Sequence, residues 1–359
     1  MKKILVSVLA VLSLVACDSE KSDKPVIKLG ASLPLTGNMS HIGISAKNSL
    51  QMALDEWNKK DTKYKYKLIV EDDAFEAKKV ATIANKFANI DKVKAVFSVF
   101  SIGANVISPI TEKAKVIHMT CAYGSQPADG FYNFNNITQY DNQTDLMLSE
   151  LKKRGIKSVA LLISNNVGST QQADILEQKI KKDKTIKIIG KEVFNPGTVD
   201  FKMIIEKILA KGTPDIFYVD GITPDANLVA KYLKETTGKI NLTTINDFIE
   251  TPQRENFEGL WFVESASGTD DFNAKYEKKY GAQVYLCGAN MYDNLNLLIE
   301  SYEQSETADV DNDTVVNKLL GVKDKQGAIG TFSIDEQGIV QSMANVKEIK
   351  NGKSVMVEK

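Results

Sequence analysis

Apolar positions along this chain fall into two alternating periods. Short, nearly continuous apolar runs predict strands at Val26 to Leu33, Tyr66 to Asp72, Lys94 to Val99, Val116 to Met119, Ser158 to Ile163 and Asp215 to Val219. Between them the spacing turns helical. Ser45 to Asn58 places Leu50, Ala53, Leu54 and Trp57 on one face, and Lys78 to Phe87 does the same with Val80, Ile83, Ala84 and Phe87. Further helices are predicted over Thr170 to Lys182, Phe201 to Lys211 and Ala226 to Lys234, with the run Ile186 to Gly190 leading into a loop. Strands alternating with helices of this length imply an α/β fold, a parallel sheet covered on both faces. Two such runs are separated by an asparagine-dense stretch from Phe134 to Asp141. The expected architecture is therefore two doubly wound, Rossmann-like lobes, with a crevice at the carboxyl ends of their strands. At this level a two-lobed ligand binder and a two-domain enzyme look alike.

The first residues follow a different pattern. Lys2 and Lys3 precede an apolar run from Ile4 to Leu14, and small residues and a cysteine follow as Val15-Ala16-Cys17. This is the layout of a secretory signal peptide, and the run is shorter than the roughly 20 apolar residues of a membrane-spanning helix. Leu14-Val15-Ala16-Cys17 resembles the bacterial lipobox, whose cysteine receives a lipid and becomes the new N-terminus. Residues 1–16 are then a lipoprotein signal peptide, Cys17 the lipid attachment site and 17–25 a polar tether. Acyl chains of this kind hold a protein to a bilayer through about 0.8 kcal/mol per buried methylene. A plain signal peptide cleaved near Ala16, with Cys17 left free, is the alternative.

Composition narrows the function. The 359 residues carry 45 basic and 46 acidic side chains, a balance that argues against nucleic acid as a partner. An apolar fraction of 43% fills a core and excludes a disordered chain. With two histidines, His41 and His118, and three scattered cysteines, no metal site is expected. Outside the cytoplasm Cys121 and Cys287 are free to pair, but spacing does not decide the matter, and a buried free thiol is the commoner outcome. No Gly-x-Ser-x-Gly elbow and no His-Glu-x-x-His helix is present, so no enzyme and no cofactor are expected. Asp309-x-Asp311-x-Asp313 imitates the start of a calcium loop, but Thr314 and Leu320 stand where glycine and glutamate belong, and it reads as a solvated acidic loop.

Several short motifs, in order, resemble a known family. They are the turn Leu33-Pro34-Leu35-Thr36-Gly37, Glu71-Asp72-Asp73 with the helix through Ala84-Asn85-Lys86, Val99-Phe100-Ser101, and Asn195 to Phe201. Phe272 to Gly281, Met291-Tyr292-Asp293 and Gly330 to Gly338 complete the set. From about Ile27 to the C-terminus the chain is similar to type I periplasmic binding proteins, and within them to the leucine/isoleucine/valine-binding receptors of ABC transporters. The resemblance implies two lobes joined by three crossings, lobe one over 26–140 plus 268–332 and lobe two over 141–267 plus 333–359. It implies a monomer that closes on a small-molecule ligand, an amino acid or a related small carboxylate or amide, and delivers it to an ABC permease from outside the cytoplasmic membrane. A sensory receptor of the same fold is the alternative.

The same resemblance implies the site residues. Ser101, with backbone groups of Ala122 and Gly124, matches the α-carboxylate site; Ser101 also reads as a helix N-cap. Asp247 is the first candidate for an ammonium partner and Asp220 the second, with Asp141 a hinge residue. The side-chain pocket departs from the branched-chain pattern: Ile42, Val167 and Ile222 stand at positions commonly aromatic, Cys287 matches another aromatic, and Phe100 and Tyr123 compensate. Ala74 and Phe100 occupy the places of the family's disulfide cysteines. A branched-chain amino acid is the leading ligand.

Overall fold

The apolar runs become inner strands of two parallel sheets. The computed structural model describes residues 24–124, 128–305 and 310–357; the signal peptide, Cys17, most of the tether and Asp309 lie outside the described residues. The first sheet contains β1 (Val26–Leu33), β2 (Lys65–Asp72), β3 (Ala95–Val99), β4 (Ile117–Cys121) and β5 (Asn133–Asn135), in the order β2-β1-β3-β4-β5. Helices α1 (Ser40–Trp57), α2 (Ala77–Lys86) and α3 (Phe100–Ala114) connect its strands. Then come α4 (Tyr140–Lys153), β6 (Ser158–Ser164), α5 (Val167–Asp183), β7 (Lys187–Phe194), α6 (Lys202–Leu209), β8 (Ile216–Asp220), α7 (Asp225–Thr237) and β9 (Leu242–Thr244), with a second sheet in the order β7-β6-β8-β9. Every residue of β3, β4 and β8 is buried. Helices cover both faces, so these strands read as mainly apolar runs, broken only by Ser98, His118, Thr120 and the terminal Asp220, rather than as apolar-polar alternation. The two doubly wound lobes are those the periodicity predicts.

The rest of the chain completes both lobes. A one-turn helix α8 (Asp247–Glu250) leads to β10 (Trp261–Glu264), α9 (Asp270–Tyr280), α10 (Gly288–Glu303) and α11 (Asn312–Leu320). Helix α10 packs along α1 in the first lobe. Strands β11 (Lys325–Gly327), β12 (Gly330–Ile334) and β13 (Val340–Gln341) form a small antiparallel sheet; β14 (Asn345–Lys350) pairs with β10, and β15 (Lys353–Met356) pairs with β14. Three stretches linking the sheets are hydrogen-bonded together: the Thr138 hydroxyl takes the Ala266 N–H at 2.8 Å and meets the Ser342 hydroxyl at 2.9 Å. Asp141, expected as a hinge residue, lies in the first turn of α4, just after the first crossing, paired with Lys179 at 3.1 Å.

Two family motifs explain each other. Asp72 Oδ1 accepts the N–H groups of Leu35, Thr36 and Ala74, so the acidic motif pins the Leu33–Gly37 turn. Helix α1 starts at Ser40, five residues before the predicted start. Its first turn lies so close to that turn that a Cβ on Gly43 would fall 1.9 Å from the Pro34 carbonyl oxygen, a contact only glycine permits. Cys121 and Cys287 form a disulfide with Cα atoms 5.7 Å apart, which corrects the expected free thiols. It joins the end of β4 to the start of α10, elements 166 residues apart in sequence.

Candidate functional site

The carboxyl ends of the two sheets face one another across a cleft of about 540 Å³. Its first wall begins where β3 turns into α3. Phe100 there has φ of 65°, and across the cleft rim Ala74 and Phe75 have φ of 50° and 61°. Non-glycine residues in this left-handed region cost energy and persist where the surroundings hold them, commonly at functional sites. The rings of Phe75 and Phe100 meet edge to face at 5.2 Å, so an aromatic contact stands near the places matched to the family's disulfide. Tyr123, just past β4, stacks on Tyr140 with centroids 5.6 Å apart.

The second wall is acidic. Asp220 ends β8, and Asp247 and Glu250 begin and end α8. They are 5%, 7% and 4% exposed, and none of the described residues lining the cleft is lysine, arginine or histidine. Asp220 accepts the Tyr218 hydroxyl at 2.9 Å, Asp247 the Gly221 N–H at 3.0 Å, and Glu250 the Tyr123 hydroxyl at 3.1 Å. Burial pushes Asp220 up to about 7, against the pull of the Ser169 and Tyr218 hydroxyls. Burial likewise pushes Glu250 up to about 7. Asp247 is held well above the usual carboxylate range by burial and then by the charges of Asp220 and Glu250. Helix α5 opens onto the same wall, with Asn166 as its N-cap accepting the Ser169 N–H at 2.9 Å.

The lobes already touch across the cleft. Asn246 Nδ2 donates to the Tyr123 hydroxyl at 3.0 Å, so Tyr123 is held by Asn246 and Glu250 together. Behind α8, His41 contacts the Glu250 carbonyl, and Arg254 donates to the Ile249 and Val284 carbonyls at 2.7 and 2.9 Å.

The sequence-derived candidates divide cleanly. Phe100, Ser101, Tyr123, Val167, Asp220, Ile222 and Asp247 line the cleft. Ile42, Ala122, Gly124 and Cys287 do not. Ile42 is wholly buried in the core beneath α1. The Ala122 N–H, expected to hold a carboxylate, is taken by Asn135 Oδ1 at 3.1 Å, and the Gly124 carbonyl accepts Asn135 Nδ2 at 2.8 Å. Cys287 is committed to its disulfide. Ser101 lies inside α3 and makes no cap; its hydroxyl donates to the Tyr123 carbonyl at 2.8 Å. Donating to a ligand therefore requires that bond to break. Glu250, Tyr140, Phe75 and Met39 also line the cleft and went unrecognised. Only Glu250 carried a signal, its place three residues after Asp247, one helical turn along the same face.

Two α/β lobes with a recessed cleft at their strand ends define a solute-binding architecture. A family model described as "Periplasmic binding protein" matches residues 26–353, and the chain belongs to that family. It is 23% identical over 350 residues to the Leu/Ile/Val-binding protein BraC3 of Rhizobium johnstonii, covering 92% of this chain and 94% of that protein. Among solved structures it is similar to the branched-chain amino acid transporter substrate binding protein LivJ of Streptococcus pneumoniae, in complex with isoleucine. That match has a TM-score of 0.83 at 19% identity and covers 92% of this chain and 97% of LivJ. An ABC-transporter solute binding protein of Rhodopseudomonas palustris, in complex with 3,4-dihydroxybenzoic acid, matches with a TM-score of 0.80 at 18% identity over 93% and 96% of the two chains. The family consists of binding proteins rather than enzymes, and the type I branch read from the sequence motifs agrees with these matches.

Proposed function

We propose that this protein is an extracytoplasmic lipoprotein that captures an amino acid by closing its two lobes and hands it to an ABC permease. The observation that carries the ligand class is the second wall: buried Asp220, Asp247 and Glu250 with no basic side chain lining the cleft. Such a wall favours an ammonium group and repels a ligand that is only a carboxylate, because an unpaired charge is costly away from water. Opposite it, the N-terminal end of α3 and the Ser101 hydroxyl suit the α-carboxylate. The branched-chain type remains the first to test, since Val167, Ile222 and Phe100 offer apolar contact. The lipobox supports the anchor and the family the transport role. Closure uses the three crossings as hinge, with lobes over 26–140 plus 268–332 and 141–267 plus 333–359, and the molecule works as a monomer.

A thermal-shift screen of the full chain against amino acids, amides and aromatic carboxylates tests this reading. A ligand at 100 times its dissociation constant adds about 2.7 kcal/mol of stability. Amino acids should stabilise the protein and benzoate-type acids should not. The reverse pattern would sink the amino-acid reading.

A further inference from the structure

The acid wall has more carboxyl groups than one ammonium group can pair with. None of Asp220, Asp247 and Glu250 has a basic partner within 4.0 Å among the described residues, and the donors they do have are a hydroxyl or a backbone N–H. Two buried carboxylates elsewhere in the fold are settled by a counter-charge or by paired backbone donors. Glu264 has the Lys347 ammonium at 3.1 Å, and Asp293 receives the N–H groups of Ala328 and Ile329 at 2.7 and 2.9 Å. The three cleft carboxylates stand out as those left open toward a cavity.

A single compact ion does not answer them. No group of three or more histidine, cysteine, aspartate or glutamate side chains among the described residues is gathered closely enough to hold a metal ion. The charges are spread along the wall from the end of β8 to the end of α8. A cleft of about 540 Å³ also has room for a side chain longer than that of leucine. The facing wall supplies Tyr123 and Phe100, ring surfaces that suit a cationic stem.

We infer that the ligand is an amino acid whose side chain carries a second cationic nitrogen, so that two positive groups meet the three carboxylates. This rests on the amino-acid reading above and sharpens it. One carboxylate takes the α-ammonium, and the other two share the distal cation, which one aliphatic chain length places a few ångströms further along the wall.

Calorimetry on the full chain with lysine, ornithine, leucine and norleucine decides it, because norleucine keeps the carbon chain of lysine without the distal amine. Lysine or ornithine should bind at least tenfold more tightly than norleucine. Asp220→Asn, Asp247→Asn and Glu250→Gln should include at least one variant that shrinks this ratio several-fold. If leucine or norleucine binds as tightly as the basic amino acids, the second cation is refuted while the amino-acid reading stands. If no amino acid binds, both fall. A ratio unchanged in all three variants would also refute it. The comparison of lysine with norleucine on the unaltered protein needs no variant to fold.

Discussion

The two walls of the cleft are built on opposite plans. Lobe one offers rings and neutral polar groups whose hydrogen bonds are already made, as with Ser101 on the Tyr123 carbonyl. Its edges are pinned by Asp72 under the Leu33–Gly37 turn and by the Cys121–Cys287 disulfide at the end of β4. Lobe two offers three buried carboxylates that lack a counter-charge. One wall therefore contributes shape and the other contributes charge. A ligand can lie against the first wall while the lobes are open, but the second satisfies it fully only once water has left the closed cleft, where electrostatic terms strengthen. That difference gives the ligand a preference for the closed state, which any ligand-driven closure requires.

The largest effect should come from unfastening the rigid wall. A disulfide closing a loop as long as the 166-residue separation of Cys121 and Cys287 contributes about 2–5 kcal/mol. Urea denaturation of the Cys121→Ser, Cys287→Ser double variant should show a loss of that order. Unchanged stability would mean that packing alone makes lobe one the stiffer partner.

The charged wall should show itself through pH. Asp220 and Glu250 have folded-state values near 7, above those of an unfolded chain. The folded state therefore holds more protons than the unfolded one between about pH 4 and 7. Their contribution is fully present below that window and is lost as pH rises through it. The groups facing this wall are the Tyr123, Tyr140 and Tyr218 hydroxyls, with His41 and Arg254 behind α8. Burial pushes His41 down and His118 down to about 3, so the two histidines oppose this trend as pH rises toward the ordinary histidine range, against the three raised carboxyl groups of the wall. Melting temperature of the ligand-free protein should fall from pH 5 to pH 8, and affinity for a cationic ligand should rise over the same range. A flat melting profile would remove the electrostatic contrast between the walls.

The smallest effect concerns the contact between the walls. Tyr123→Phe removes the hydroxyl that joins Glu250 and Asn246 across the cleft. A loss of about 0.5–1.5 kcal/mol from the closed state is expected. Small-angle scattering of the ligand-free variant should give a larger radius of gyration than the unaltered protein. An identical profile would show that the Tyr123 hydroxyl is not what holds the lobes together, leaving the His41–Glu250 and Arg254–Val284 contacts and the crossings to do so.

Sequence was most informative where chemistry is local. Buried runs such as Ala95–Val99 and Ser158–Ser164 are mostly apolar because both faces of their sheets are covered, and that pattern is visible without any partner in view. Residues at strand ends were legible for the same reason: Asp220 follows the run Ile216–Val219, and doubly wound sheets present such positions to their ligands. Positions carried over from a family pattern fared worse when side-chain direction mattered. Ile42 turns into the core because α1 begins earlier than its periodicity suggested, and Ala122 loses its N–H to Asn135, a partner thirteen residues on. A one-turn helix leaves only a single three-residue spacing as its trace, too short a pattern to mark Glu250 beside Asp247.

Strand and helix order, two lobes and the absence of a recognisable catalytic motif were thus determined by the chain alone, since each depends on neighbours within a few turns of the backbone. The pairing of Cys121 with Cys287, the gathering of Asp220, Asp247 and Glu250 on one wall, and the capture of Tyr123 by the opposite lobe were decided only by the tertiary structure. Each joins groups distant in sequence, and their separation in space, 5.7 Å between the cysteine Cα atoms for one, is set by how whole sheets and helices pack.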